Sequence, residues 1–122
     1  KELKEEELIQ SLRESCSNLI FCEIQGQYYI ETGKETLPAE LVLKAYDFFE
    51  QTVELLLEQG GSLFYRLTDM DGVLRISVNL EGVCRTESLQ EKYPLLHMEQ
   101  EEEKEWFLAL QLSEKGGRDE IL

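Results

Sequence analysis

In the stretch AYDFFEQTVELLLEQGGSLFYRL, residues 45–67, the spacing of the apolar residues changes at a pair of glycines. Before Gly60 the apolar residues recur at three- and four-residue intervals, as they do on one face of an α-helix. Gly60 and Gly61 interrupt this pattern, and glycine is common where helices end. After the two glycines, apolar and polar residues begin to alternate, which is typical of a strand. The stretch therefore predicts a long helix followed at once by a strand.

This helix is expected to cover residues 37–59. Pro38 suits its first turn, because the N–H that proline lacks would have no partner there. A single broad stripe of mostly apolar residues runs along the helix and is expected to face the core. The stripe consists of Leu41, Ala45, Phe48, Phe49, Thr52, Val53 and Leu56.

Three glutamates lie on the same helix at i, i+4 and i+8, namely Glu50, Glu54 and Glu58. Their carboxylates would stack along one face, and like charges at this spacing cost a few tenths of a kcal/mol per pair. Such a cost is tolerable on a solvated face, which is the simplest interpretation. The alternatives are a site for a divalent cation and a cleft that is kept closed to anions.

A hairpin is predicted around Asp69-Met70-Asp71-Gly72. Asp-Gly between two alternating runs is a strong hairpin signal, so we expect strands at about 62–68 and 73–80. The two aspartates also resemble the start of a calcium loop. The remaining ligands of such a loop do not follow them, so a turn is the better interpretation.

The first 31 residues predict a helix and then a strand. Residues 2–18 carry apolar residues at helical spacing opposite a charged face. This helix either packs on its own domain or is the end of a dimerisation helix that enters from upstream. Residues 19–31, LIFCEIQGQYYIE, mix β-branched and aromatic residues with polar ones, which favours one strand and leaves a second open.

The C-terminal third predicts a short helix in RTESLQEKYP that Pro94 ends. The acidic run Glu99–Glu105 is interpreted as a solvated turn. WFLALQL then predicts a strand with Trp106, Leu108, Leu110 and Leu112 on one face. We expect residues 116–122 to form a mobile tail.

The composition of the chain limits its partners. Its 122 residues are 42% hydrophobic, which suits one compact domain. It carries 26 acidic and 12 basic residues and a net charge of −14, so nucleic acid and anionic membrane surfaces are excluded as partners. No apolar run approaches the roughly 20 residues that span a bilayer. Because the sequence does not begin with Met, we expect a fragment of a longer parent that could hold membrane spans elsewhere.

Metal and nucleophile motifs are missing from the sequence. Cys16, Cys22 and Cys84 form no CxxC pair, and their odd number fits buried thiols in a reducing compartment. His97 is the single histidine and lies in no nucleophile motif.

The order of these elements predicts an α+β fold, a two-layer α/β sandwich with helices on one face of a mixed sheet. We expect an N-terminal helix over residues 1–18, a domain over 19–115 and the tail over 116–122.

The segment LPAELVLKAYDFFEQTVELLLEQGGSLFYRLTDMDGVLRISVNLEG resembles the ATP-binding domain of bacterial sensor histidine kinases, which belong to the GHKL ATPase superfamily. In these kinases a short LP lead precedes a helix that reads like EALTNALRHS, and a hairpin then ends in DNGxG. The resemblance covers about residues 20–115. It implies a cytoplasmic module of a two-component system, ATP and Mg²⁺ as cofactors, and partners in the rest of the parent kinase and a response regulator. A homodimer through the N-terminal helix is also implied.

The resemblance gives roles to the three glutamates. Glu50 keeps the family's residue type, and a carboxylate there assists phosphoryl transfer. Glu54 replaces the asparagine that coordinates magnesium, and Glu58 replaces a basic residue that meets the phosphates. Glu54 and Glu58 are therefore the expected metal ligands, because Mg²⁺ prefers hard oxygen ligands.

The other nucleotide motifs depart from the family's pattern. Aligning Gly82 with the first glycine of DNGxG puts Leu80 where the adenine-reading aspartate belongs and Cys84 at the second glycine. Shifting the alignment by one residue places Asn79 at the aspartate position instead. Asn79 and Gly82 are therefore the expected nucleotide contacts. The span 84–106, where a glycine-rich lid would lie, contains no glycine. We therefore expect a degenerate site that binds ATP weakly or not at all.

Three functions remain open. The first is a signalling module with a degenerate nucleotide site, and the second is an active kinase domain that uses Glu54 for Mg²⁺. The third is an unrelated acidic protein-interaction domain with a similar layer arrangement. Residues 1–18 contain no histidine, so they cannot be the module that accepts the phosphoryl group.

Overall fold

The computed structural model describes residues 1–113, and the predicted tail over 116–122 lies outside them. The elements follow each other as β1 (Glu2–Lys4), α1 (Glu5–Leu19), β2 (Ile24–Glu31), β3 (Thr36–Pro38), α2 (Ala39–Leu56), β4 (Gly61–Met70), β5 (Val73–Glu81), α3 (Glu87–Lys92), β6 (His97–Glu102) and β7 (Glu105–Leu112). A 3₁₀ turn, Ile20–Cys22, joins α1 to β2.

The main sheet has five strands in the order β2-β4-β5-β7-β6. β2 runs parallel to β4, while the other neighbours are antiparallel. The parallel pair needs a crossover, which β3 and α2 supply. β1 and β3 pair separately as a small antiparallel ribbon. The mixed sheet expected from the sequence is confirmed.

The helices cover one face of this sheet. On β5, Leu74, Ile76, Val78 and Leu80 are buried, whereas the residues between them lie on the other, partly exposed face. The residues of β4 and β7 also alternate between buried and partly exposed, because successive side chains of a strand point to opposite faces. The molecule is thus the two-layer α+β sandwich that the sequence predicts.

The first helix packs on its own domain, which was one of its two predicted alternatives. Leu8 and Leu12 are buried in the common core. Gly26 on β2 lets α1 approach closely, since a Cβ there would lie 2.9 Å from Leu19 Cδ1 and 3.1 Å from Cys16 Sγ. The hydrophobic core therefore includes residues that precede residue 19, at which the domain was expected to begin.

The ends of three elements differ from expectation. α2 covers Ala39–Leu56 instead of residues 37–59, because residues 37 and 38 still belong to β3 and residues 57–59 form a turn. The first helix begins at Glu5 instead of residue 2, because residues 2–4 form β1. The strand predicted from residue 19 begins at Ile24, because α1 continues to Leu19 and the 3₁₀ turn follows.

The hairpin and the short helix α3 are confirmed, but in the acidic run only residues 103 and 104 form a turn and the rest are strand. Asp71 and Gly72 have positive φ angles of 53° and 84° and connect β4 to β5 directly. Glu99–Glu102 belong to β6, and Glu105 already begins β7. β6 is an edge strand with only Met98 partly buried, so its carboxylates stay solvated, and charge is a common feature of edge strands.

Candidate functional site

Glu50 and Glu54 lie on α2 and Glu58 in the turn after it, and the three do not line one cavity. Glu50 and Glu54 line a groove of about 330 Å³ between α1 and α2. Glu58 lines a different cavity, of about 270 Å³, beside the end of β5. All three side chains are exposed. The expected metal pair, Glu54 and Glu58, is therefore divided between two cavities.

The groove between α1 and α2 has an apolar floor and a polar rim. Leu19, Phe49, Val53 and Leu57 supply apolar surface. Ser15 and Asn18 of α1 face the two glutamates across the opening. The hydroxyls of Ser15 and Tyr46 share a 2.6 Å hydrogen bond that joins the two helices at the groove.

The smaller cavity contains Glu58 together with Gly82, Cys84 and Arg85. Its volume is below the roughly 300–1,000 Å³ of most small-molecule pockets. The Arg85 side chain is exposed and lies 3.4 Å from a carboxylate oxygen of Glu87.

Gly82 is required by the close crossing of two backbone segments. Its φ is 107°, and a Cβ at this position would lie 2.6 Å from the carbonyl oxygen of Gly60. Its N–H donates a 2.8 Å hydrogen bond to the carbonyl of Lys104. The glycine is therefore explained by packing alone, whether or not a ligand contacts it.

Asn79 lies on the opposite face of the sheet from the helices. Its Oδ1 accepts a 2.7 Å hydrogen bond from Arg66 Nη2, and Arg66 Nε donates to Ser77 Oγ at 2.9 Å. The Arg66 guanidinium also lies 5.0 Å from the centre of the Phe64 ring. The structure therefore does not bring Asn79 together with Glu54, Glu58 or Gly82.

Leu80 lies in the core on the helix-facing side of β5. Its side chain is 1% exposed, and its neighbours across the sheet are Leu63 on β4 and Trp106 on β7. Trp106 Nε1 donates a 3.0 Å hydrogen bond to the carbonyl of Val83, which holds the end of β5 against β7. The position that the sequence resemblance places opposite the family's adenine-reading aspartate thus holds a packed aliphatic side chain.

The segment between β5 and β6 packs on α2. Leu89, Tyr93 and Leu96 are buried in the core. The Tyr93 ring meets Phe48 edge to face at 5.1 Å, and its hydroxyl donates a 3.1 Å hydrogen bond to Asp47 Oδ2. Aromatic and aliphatic side chains therefore pack the middle of α2 against this segment.

The pairing of Asp47 with Tyr93 and the groove were not found in the sequence. Asp47 lies within a helical pattern, where an exposed carboxylate carries no signal. Among residues 1–113, no three His, Cys, Asp or Glu side chains converge as metal ligands would. Within the same residues, no helix is both long and apolar enough to cross a membrane.

Comparison with known proteins gives a match in structure but none in sequence. Neither a protein-family model nor a curated protein matches the chain. The nucleotide-free catalytic domain of histidine kinase ThkA superposes with a TM-score of 0.57 at 17% identity, over 91% of this chain and 92% of that one. Acinetobacter baumannii histidine kinase AdeS gives 0.61 at 5% identity, over 95% of this chain and 68% of that one.

A third similar structure is ThkA in complex with the response regulator TrrA, with a TM-score of 0.59 at 14% identity. It is matched over 91% of this chain and 40% of the kinase chain. The chain therefore has the fold of histidine kinase catalytic domains. At these identities the match defines the fold and assigns no activity.

Proposed function

We propose that the chain is a signal-transduction module of a two-component sensor histidine kinase, built on the ATP-binding fold but with a degenerate nucleotide site. The single observation that carries this proposal is the burial of Leu80, at 1% exposure, where the adenine-reading aspartate is expected. The module would act by conformational coupling within the kinase or by partner docking.

The residues present do not fit a magnesium nucleotide. Glu54 and Glu58 line different cavities, and within residues 1–113 no third acidic, Cys or His ligand converges with them. A carboxylate near a triphosphate is repelled by on the order of 1 kcal/mol per close pair even in water. The span 84–106 has no glycine, whose backbone could adopt the positive φ angles of a loop that surrounds a phosphate. We therefore expect ATP and Mg²⁺ to bind weakly or not at all.

An active kinase module is the second candidate, with Glu54 holding Mg²⁺ and Glu50 assisting phosphoryl transfer. It is less well supported, because both residues line the groove beside α1 and not the cavity next to Gly82. An unrelated interaction domain with a convergent layer arrangement is disfavoured by the match to kinase catalytic domains over most of the chain.

The expected partners follow from the kinase context. They are the rest of the parent kinase and a response regulator, by analogy with ThkA and TrrA, and the module would work in the cytoplasm. A homodimer through α1 would have to use its outer, charged face, since Leu8 and Leu12 are buried in the domain itself.

Calorimetric titration of the chain with Mg-ADP and Mg-ATP tests the proposal, with Mg²⁺ alone as the control. We expect no saturable heat with either nucleotide. Saturable binding at micromolar concentration would overturn the degenerate site and support the active module. Heat from Mg²⁺ alone would give the glutamates a cation-binding role.

A further inference from the structure

The groove between α1 and α2 is a surface that the proposed function does not use. It lies on the α1 side of α2, whereas Tyr93 and the segment after β5 pack on another side of the same helix. The groove is therefore distinct from the cavity that contains Gly82.

The groove exposes apolar surface. Leu57, which lines the groove just after the last residue of α2, is 50% exposed. Ile20 and Phe21 directly follow Leu19 of the groove and are 72% and 85% exposed. Large apolar side chains that cluster on a surface commonly mark a site of protein interaction.

The charge at the rim of the groove has a single sign. Glu50 and Glu54 are the only residues among the nine that line it whose side chains are charged at neutral pH. Within residues 1–113, neither carboxylate makes a hydrogen bond or an ion pair. They lie one helical turn apart, so the groove presents two unpaired negative charges beside an apolar floor.

We propose that this groove is a docking site for an amphipathic helix that carries apolar anchors and two Lys or Arg residues one turn apart. The apolar anchors would cover Val53 and Leu57, and the two cations would pair with Glu50 and Glu54. Helices that dock in this manner are recognised by the spacing of their anchors. The net charge of −14 favours the encounter with a basic partner.

The groove fits this partner better than its alternatives. A second copy of this chain would bring carboxylates toward carboxylates, because each copy carries the same net charge of −14. An anionic lipid surface would be repelled for the same reason. A small apolar ligand would leave the two rim charges without partners.

The test uses the full chain and a model peptide composed only of leucine and lysine, ordered so that a helix has a leucine face and a lysine face. Binding is followed by amide chemical shifts of the ¹⁵N-labelled chain. The proposal expects shifts concentrated at residues 15–21 and 46–57. The Glu50→Gln/Glu54→Gln double variant is expected to bind about five- to tenfold more weakly, since two exposed ion pairs are lost.

The matched control is Glu99→Gln/Glu101→Gln on the edge strand β6, which removes the same charge far from the groove. It should weaken binding less than twofold. Equal weakening by both double variants would overturn the proposal in favour of general charge attraction.

A second control is a peptide of the same composition in a scrambled order without an apolar face. Equally tight binding of this peptide would show that the apolar floor is not used and would overturn the proposal. Failure of the ordered peptide to bind, or a chain dimer in sedimentation that dissociates when the peptide is added, would also overturn it. The latter result would assign the groove to a second copy.

Discussion

The hydroxyl of Tyr65 on β4 donates a 2.9 Å hydrogen bond to the backbone carbonyl of Ala45 in the middle of α2. Both residues are fully buried, and the Tyr65 ring also meets Phe49 edge to face at 5.5 Å. This contact fixes the position of the long helix on the sheet. It therefore fixes which side of α2 faces α1 and which faces the segment after β5.

Replacing Tyr65 by Phe should lower the free energy of unfolding by about 1 kcal/mol, since one buried hydrogen bond is lost while the ring remains. Urea denaturation followed by circular dichroism measures the change. Tyr29→Phe, at an exposed position of β2, is the control and should have no measurable effect. A loss of equal size in both variants would contradict the assigned bond.

Tyr65 also predicts a loss of stability in alkaline solution. Burial, with a smaller contribution from Tyr93, raises the pKa of the Tyr65 phenol above its ordinary value of 10.0. A folded-state pKa above the unfolded one gives stability that is present below about pH 10 and is lost as the pH rises further. Tyr65→Phe should therefore show a shallower decline in melting temperature above pH 10 than the parent chain does.

Gly61→Ala should be far more destabilising than Gly33→Ala. At Gly61 a Cβ would lie 2.0 Å from the carbonyl oxygen of Glu81, whereas at Gly33 nothing lies within 4 Å. Both glycines have positive φ, so Gly33→Ala should cost only the backbone strain of about 1–2 kcal/mol. Gly61→Ala adds a backbone clash and should exceed about 4 kcal/mol. Similar melting temperatures for the two variants would contradict the close approach of β4 and β5.

Leu80→Asp should unfold the protein and should not restore nucleotide binding. A carboxylate among core side chains costs several kcal/mol unless it is paired. Asn79→Asp on the open face is the control and should fold, because its carboxylate can accept the same hydrogen bond from Arg66. Circular dichroism measures whether each variant folds, and titration with Mg-ADP measures whether it binds nucleotide. A folded Leu80→Asp variant that binds Mg-ADP would contradict the degenerate site.

The three thiols should react at two different rates. Cys22 and Cys84 are exposed, whereas Cys16 is partly buried against Gly26. Burial raises the pKa of the Cys16 thiol to about 11, so little of the reactive thiolate is present near neutral pH. Titration with a chromogenic disulfide should count two fast thiols and one slow one. Denaturation should make all three fast, and three fast thiols in the native protein would contradict the packing of α1 on β2.

The fold was largely predictable because its elements have strong local signals. The stripe on α2 and the Asp71-Gly72 turn follow from the residues themselves, and both are present. β1 and β3 were missed because three residues are too few to establish a period. A turn is predicted in place of β6 because a strand is recognised by alternating apolar and polar residues. This alternation requires one buried face, and an edge strand such as β6 can be solvated on both faces.

The sequence by itself determined the long helix α2, the hairpin of β4 and β5 and the two-layer architecture, because these depend on local residue types and periods. Only the tertiary structure decided where the glutamates point. Glu50 and Glu54 lie within α2, whereas Glu58 lies in the turn that follows Leu56. α1 therefore encloses the first two glutamates in a groove, and the segment that begins at Gly82 encloses Glu58 in a separate cavity.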